Sequence, residues 1–378
     1  MCTIRVMIKK WLNRVPSVKK LLIWIFFGGF KKSLRWVFYK YYFYMVNILV
    51  LLGKSHGIMK KNPVVRSIIF LLPKYITGEN IYESSEELVL CFIELYPDSL
   101  VECIYFDENA FINDKESYIK HIATVNPSHF VYLYGPNPSF SLTRDQLRAF
   151  LRQLDSFKII IATDSIRMPH SYFLNKIKND VDMIIGLDAP IRFRSRKSKL
   201  IGPAPGIISR NTFEKLIKPN LSICRDIDIL VAGSKYRKRL AIADFLHQNG
   251  LKVTMLGGEY GNDRMSYDKY FFNSCRAKIR IVSLFTDDEL HVHLKGHVAE
   301  AVATASLLFV DSLYPTSIYF DEGKEFINFS SLNELLEKIK WYLNNDEERL
   351  KISMAAHHRW IEEYSGGKFW ENIFSQSL

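Results

Sequence analysis

A chain of 378 residues, 48% hydrophobic and 24% charged, has the composition of a folded protein and length enough for two ordinary domains, which excludes a disordered or fibrous polymer. Its five cysteines (Cys2, Cys91, Cys103, Cys224 and Cys275) are scattered without a close pair, which argues against a disulfide framework or a cysteine zinc site and suits a reducing cytosol. The formal charge of +11 is confined to one end: residues 1–78 hold fifteen Lys or Arg and no acid, leaving 36 bases against 40 acids, a balance of −4, over the other 300. That balance disfavours a nucleic-acid surface on the folded body.

In chain order, the basic segment comes first and is also aromatic, with Leu21–Phe27 and Tyr41–Val46 as its densest runs. Lys and Arg beside Trp, Tyr and Phe suit a lipid headgroup region, so residues 1–60 are expected to form an extension at a membrane interface. A spanning helix wants about 18 uncharged apolar residues, whereas the charge-free stretch around the second run goes only from Tyr41 to Gly53. A secretory signal would need a small-residue cleavage site, and Phe30-Lys31-Lys32 stands there instead. Helices packed on the protein itself, or a nucleic-acid contact, are the other readings.

From Val64 onward, strands and helices alternate. Strands are predicted at 67–72, 101–106, 130–134, 158–162 and 183–187, and helices at 83–95, 115–125 and 143–154, the period of a parallel α/β sheet. Gly202-Pro203-Ala204-Pro205-Gly206 breaks the pattern, and the linker is placed within residues 202–222. A second series follows: strands at 228–232, 252–256, 278–284 and 307–310, helices at 238–248, 266–275 and 296–306, and a further helix opened by Ser331 and Glu334 at capping-box spacing. The domains are therefore set at 61–210 and 211–378, two doubly wound sheets with a crevice at the carboxyl ends of their strands.

The chemistry-bearing residues lie at those strand ends. Gly233 and Ser234 lead into Arg237, Lys238 and Arg239 at a helix start, where backbone N–H groups, the helix dipole and a guanidinium suit an anion; a plain turn with a solvated basic face competes. Gly257 and Gly258 end the next strand without the spacing of a dinucleotide fingerprint or the lysine of a P-loop. Lys295 precedes, and Glu300 lies just over one turn into, the helix from Gly296, fitting a diphosphate and a sugar hydroxyl respectively. In the first domain, Asp164 after the 158–162 strand, with His170 behind it, is the best-placed carboxylate to accept a proton from an acceptor. Asp226-Ile227-Asp228 has a metal-binding look but stands at a strand entrance, and is read as a turn.

Taken together, Arg225–Asp228 running into Ala232-Gly233-Ser234, Leu256-Gly257-Gly258, Leu294–Ala301, Tyr319–Phe326 and Trp341–Arg349 resemble the C-terminal half of GT-B glycosyltransferases of the group-1 type, more narrowly the CgeB-like spore maturation family. The resemblance covers residues 225 to about 375. It implies a GT-B fold and transfer of a sugar from a nucleotide-diphosphate donor, held by the second domain, to an acceptor held by the first, without a bound metal or other cofactor. Within it Glu300 binds the donor's ribose, Lys295 neutralises the leaving diphosphate, and the loops at Gly233 and Gly257 admit phosphate and base, with Ser234, Gly258, Arg239 and His297 beside them. Two positions depart: His297 stands where the family has Arg, and Val292, eight residues before Glu300, where the broader pattern has Glu. They leave a catalytically silent nucleotide-sugar binder as the alternative to an enzyme. A glycan or lipid-linked acceptor, a role in bacterial surface polysaccharide or glycolipid synthesis, and a cytoplasmic site at the inner face of the membrane complete the expectation.

Overall fold

The computed structural model describes residues 65–375 apart from 74–75, 78–79, 82–83, 107–113, 135–143, 164–167, 190, 192–194, 196, 205, 236, 258–264 and 287–290. The membrane-interfacial extension expected of residues 1–60 lies outside these residues. No described helix is long and apolar enough to cross a membrane.

The first sheet is built from β1 (Ser67–Leu72), β4 (Leu100–Tyr105), β5 (His129–Tyr134), β6 (Phe157–Ala162), β7 (Met183–Gly186) and β8 (Lys199–Ile201), in the order β4-β1-β5-β6-β7-β8, while β2 (Ile76–Thr77) and β3 (Asn80–Ile81) form a separate hairpin. Every pairing in the six-stranded sheet is parallel, with Phe70 opposite both Cys103 and Val131. Such strands are covered on both faces, which is why they read as continuous apolar runs such as Phe157–Ala162. One face packs Tyr132, Phe150 and Ile160; the other packs Phe70, Phe92 and Ile159.

The second sheet runs β10 (Val253–Leu256), β9 (Ile227–Ala232), β11 (Ala277–Val282), β12 (Leu307–Val310) and β13 (Ile327–Asn328), again all parallel. The chain goes outward from β9 to β10, then returns to place β11 on the other side of β9. The connections after β9 and β11 therefore diverge and leave a crevice at the carboxyl ends of the strands, the topological switch point where α/β sheets take ligands.

The predicted strands appear within a residue or two of their expected bounds. Three features do not follow from the periodicity. The stretch expected to be a bare linker contains helical turns at Arg210–Thr212, Phe213–Ile217 and Lys218–Asn220, and they are tied to the first domain: the buried Glu87 carboxylate accepts from Ser209 N and Thr212 Oγ1. Burial pushes the Glu87 carboxyl up, against the pull of those hydrogen bonds. A helix at Met168–Ile177 and the short edge strand β8 also escape the pattern. Finally, the Lys368–Ser375 helix crosses back to the first domain: Trp370 Nε1 donates to Leu88 O at 2.8 Å, and its ring stands edge-on to Phe92 and Phe70 at 5.6 and 6.0 Å.

The helix Leu332–Asn344 starts as its sequence suggests, with one change. Ser331 Oγ accepts from Glu334 N at 3.2 Å, but the Glu334 carboxylate reaches back to Ser330 N at 2.8 Å rather than to Ser331 N. Ser331→Ala is expected to lower stability by about 1 kcal/mol, measured by chemical denaturation, since it removes the cap and leaves the second arm intact.

Candidate functional site

At the switch point of the second sheet, the loops after β9 and β10 lie backbone against backbone. Gly233 N donates to Leu256 O at 2.8 Å. Gly233 and Gly257 hold φ of 103° and 133°, and a Cβ on Gly257 would collide with the Gly233 carbonyl oxygen. These two glycines are thus required by conformation and by close approach. A Cβ on Gly233 would stand 2.5 Å from Arg239 Nη1 and 2.6 Å from His297 Nε2, so the loop, the guanidinium and the imidazole share one spot. Arg239, in the first turn of the Arg237–Gln248 helix and only 4% exposed, donates to Ser234 O at 2.8 Å. Of the expected anion-binding residues, Gly233, Ser234, Arg239 and His297 come together; Gly258 lies outside the described residues.

Gly233→Ala is expected to lower stability by about 1–3 kcal/mol, because the left-handed backbone is retained only under strain. Neither neighbour yields readily, Arg239 being bonded to Ser234 and His297 to Glu300. A thermal melt of the variant against the parent measures it.

Lys295 is the last extended residue before the Gly296–Ala303 helix, with φ −92° and ψ 146°, and its Nζ donates to Phe285 O at 3.0 Å. Lys238 approaches the same residue, its Nζ 3.6 Å from the Phe285 ring centroid and 3.0 Å from Asp311 Oδ2. Asp311 in turn accepts from Ser283 Oγ and Leu284 N, both at 2.7 Å, and so fixes the loop after β11. Two lysines and a helix N-terminus therefore stand at the loop after β11. Sequence reasoning named Lys238 only as part of the basic helix start and passed over Asp311; the available signal was an acid immediately after the apolar strand Leu307–Val310.

Glu300 sits one turn inside this helix, beside a buried network. Its Oε2 accepts from Arg280 Nη2 and from Tyr270 Oη, and lies 2.7 Å from His297 Nδ1. Arg280, in mid-strand on β11, has no exposed surface. Burial opposes ionisation of Glu300, but His297 and Arg280 outweigh it and hold the carboxyl well below the usual carboxylate range. Burial pulls the His297 imidazole below its ordinary pKa, with Glu300 opposing, and pushes the Tyr270 hydroxyl far up. Neither Arg280 nor Tyr270 was foreseen, since a charge inside an apolar strand carries no label of its partner.

Across the crevice, the first domain contributes Asp188, just beyond β7. Its Oδ2 lies 3.3 Å from His293 Nδ1 and its carbonyl accepts from Leu294 N at 2.6 Å, a contact directly before Lys295. Asp164, expected as the acceptor's proton acceptor, lies outside the described residues, and His170 is described only as part of its helix. Asp226 and Asp228 pair with Arg276 and Lys278 at the amino ends of the strands, opposite the crevice, in keeping with a structural turn.

Residues 214–375 match the protein family described as glycosyl transferase-like. No curated protein matches the chain by sequence. Among solved structures, the chain is similar to an alpha-glucosyltransferase in complex with UDP-glucose and DNA containing an abasic site, at 8% identity and TM-score 0.58, covering 82% of this chain and 99% of that one. It is also similar to a sucrose-phosphate synthase from Thermosynechococcus elongatus (9% identity, TM-score 0.55, 82% and 97% covered) and to a glycosyltransferase from Rickettsia africae (11%, 0.53, 84% and 99%). At these identities the likeness is one of fold, and it spans both sheets. The chain has the GT-B fold, and its residues 214–375 are similar to the glycosyl transferase-like family.

Proposed function

We propose that this protein transfers a sugar from a nucleotide-diphosphate donor, held at the switch point of the second domain, to an acceptor that enters from the first. The carrying observation is the convergence of Gly233, Arg239, His297, Lys295 and Glu300 at that point. Backbone approach at Gly233 and the cations Arg239 and Lys295 suit the diphosphate, and the Glu300 carboxylate suits a sugar hydroxyl. As the bond to the anomeric carbon breaks, negative charge grows on the diphosphate. Lys295 and the helix N-terminus can stabilise it in place, in a reading that needs no metal. The CgeB-like subfamily, surface polysaccharide or glycolipid as product, and a lipid-linked acceptor held near the inner membrane face by residues 1–60 belong to the same proposal; the basic, aromatic composition of that segment supports the membrane placement.

A catalytically silent nucleotide-sugar binder is the second reading. The observation favouring it is Val292, which pairs with Phe285 through an isolated antiparallel backbone bridge and carries an apolar side chain where the broader pattern has a carboxylate.

A thermal-shift panel of UDP-, GDP-, ADP-, CMP- and dTDP-sugars tests the donor site, because a ligand that binds only the native state raises its melting temperature. At least one donor is expected to raise it; a flat response across the panel overturns the reading. Release of the nucleotide from the stabilising donor, a nucleoside diphosphate or, from a CMP-sugar, CMP, then separates enzyme from silent binder.

A further inference from the structure

The contacts of Glu300 are unequally shared between its two oxygens. Arg280 Nη2, Tyr270 Oη and His297 Nδ1 all meet Oε2. Among the described residues, Oε1 meets none; it faces Gly296, where an added Cβ would stand 4.0 Å from it. The Glu300 side chain keeps 20% of its surface exposed, whereas Arg280 keeps none. Arg280 is itself fixed: its Nη1 lies 3.4 Å from Ser274 Oγ and its guanidinium 5.4 Å from the Tyr270 ring centroid. A carboxylate anchored through one oxygen and open at the other has its direction set before a ligand arrives, and no ordering is left for binding to impose.

We propose that Arg280 and Tyr270 are positioning residues that lock Glu300 Oε2 and aim Oε1 at the two vicinal hydroxyls of a ribose, so that the site selects ribonucleoside diphosphates over their 2′-deoxy counterparts. This inference rests on the reading of the second domain as the donor site. A single carboxylate oxygen has lone pairs for both hydroxyls. A ligand lacking the 2′-hydroxyl leaves one of them unused, and a site built to hydrogen-bond a hydroxyl rejects the analogue without it. Because the acceptor is charged, the expected discrimination is about 10- to 100-fold. The pyrophosphate half of the ligand, held by the Gly233 loop, Arg239 and Lys295, is unaffected by it.

The test is calorimetric titration of the full chain with UDP, ADP, GDP and CDP, each beside its 2′-deoxy form, and with inorganic pyrophosphate. The expected result is a ribo-to-deoxy affinity ratio of about 10–100 for the nucleotide bound best, with pyrophosphate affinity the same in every variant. Tyr270→Phe, which removes one hydroxyl and keeps the ring, is expected to lower the ratio severalfold. Arg280→Met is expected to bring it near 1, and Arg280→Lys to recover part of it. Binding of nucleoside diphosphates with a ratio near 1 in the parent chain overturns this inference and leaves the donor site standing. Absence of nucleoside diphosphate binding overturns both. A parent-like ratio in Tyr270→Phe and in folded Arg280→Met shows that Glu300 needs no such support, and overturns the positioning role.

Discussion

Glu300→Ala is expected to destabilise the fold by about 3–5 kcal/mol, a fall in melting temperature of roughly 10 °C. The reason lies with its partner more than with the carboxylate. Arg280 is fully buried on β11, and its Nη2 is shared between Tyr270 and Glu300. Removing the carboxylate leaves a guanidinium in the sheet's interior with a neutral phenol, Ser274 and, at 3.4 Å, His297 Nδ1 as its remaining partners, and a buried charge without a counter-charge is costly. Glu300→Gln keeps the shape and loses the charge, and is expected to fall between the parent and the Ala variant. The double variant Arg280→Met with Glu300→Leu is expected to regain most of the loss, because a buried ion pair replaced by apolar groups of similar volume is often neutral. Denaturant titration of the four proteins checks this; a Glu300→Ala variant as stable as the parent contradicts it.

Lys295→Ala is expected to leave the fold intact and to lower turnover by about 100- to 1,000-fold, the typical cost of removing one group placed where charge develops. Lys295 precedes the helix and its Nζ spans to Phe285 O within the loop after β11, so its loss removes a bond inside that loop and no core packing. If its work is on the departing diphosphate, kcat falls much more than donor affinity. Lys295→Arg keeps the charge and is expected to restore part of the rate. Equal losses in kcat/KM and in donor affinity, with kcat unchanged, would show that Lys295 only binds.

The fold was largely legible because its strands are buried on both faces. Ile159-Ile160-Ile161 and Ile229-Leu230-Val231 can be nothing but sheet interior, and the helices between them carry the βα period. The helix Gly296–Ala303 was read too long, to Ser306. Its end is set by Thr304, whose hydroxyl bonds back to Glu300 O at 2.8 Å, and by Ala305 at φ 52°, and neither residue is a customary stop signal. The glycine loops and the Lys295–Glu300 helix were legible as local motifs. Arg280 was not, since Lys278-Ile279-Arg280-Ile281 alternates as a half-exposed strand would. Its burial is decided by Tyr270 and Glu300, ten and twenty residues away. The return of Trp370 to the first domain is invisible for the same reason: an amphipathic helix declares that it packs, not where.

Hydrogen exchange of the full chain, with and without the nucleotide sugar that stabilises it most, tests most directly where the donor sits. Added protection is expected at 233–239, 256–257 and 283–300, the carboxyl-end loops of the second sheet, with little change at 226–228 and 276–278 on the opposite edge. Protection confined to the first domain, or to that opposite edge, would contradict it.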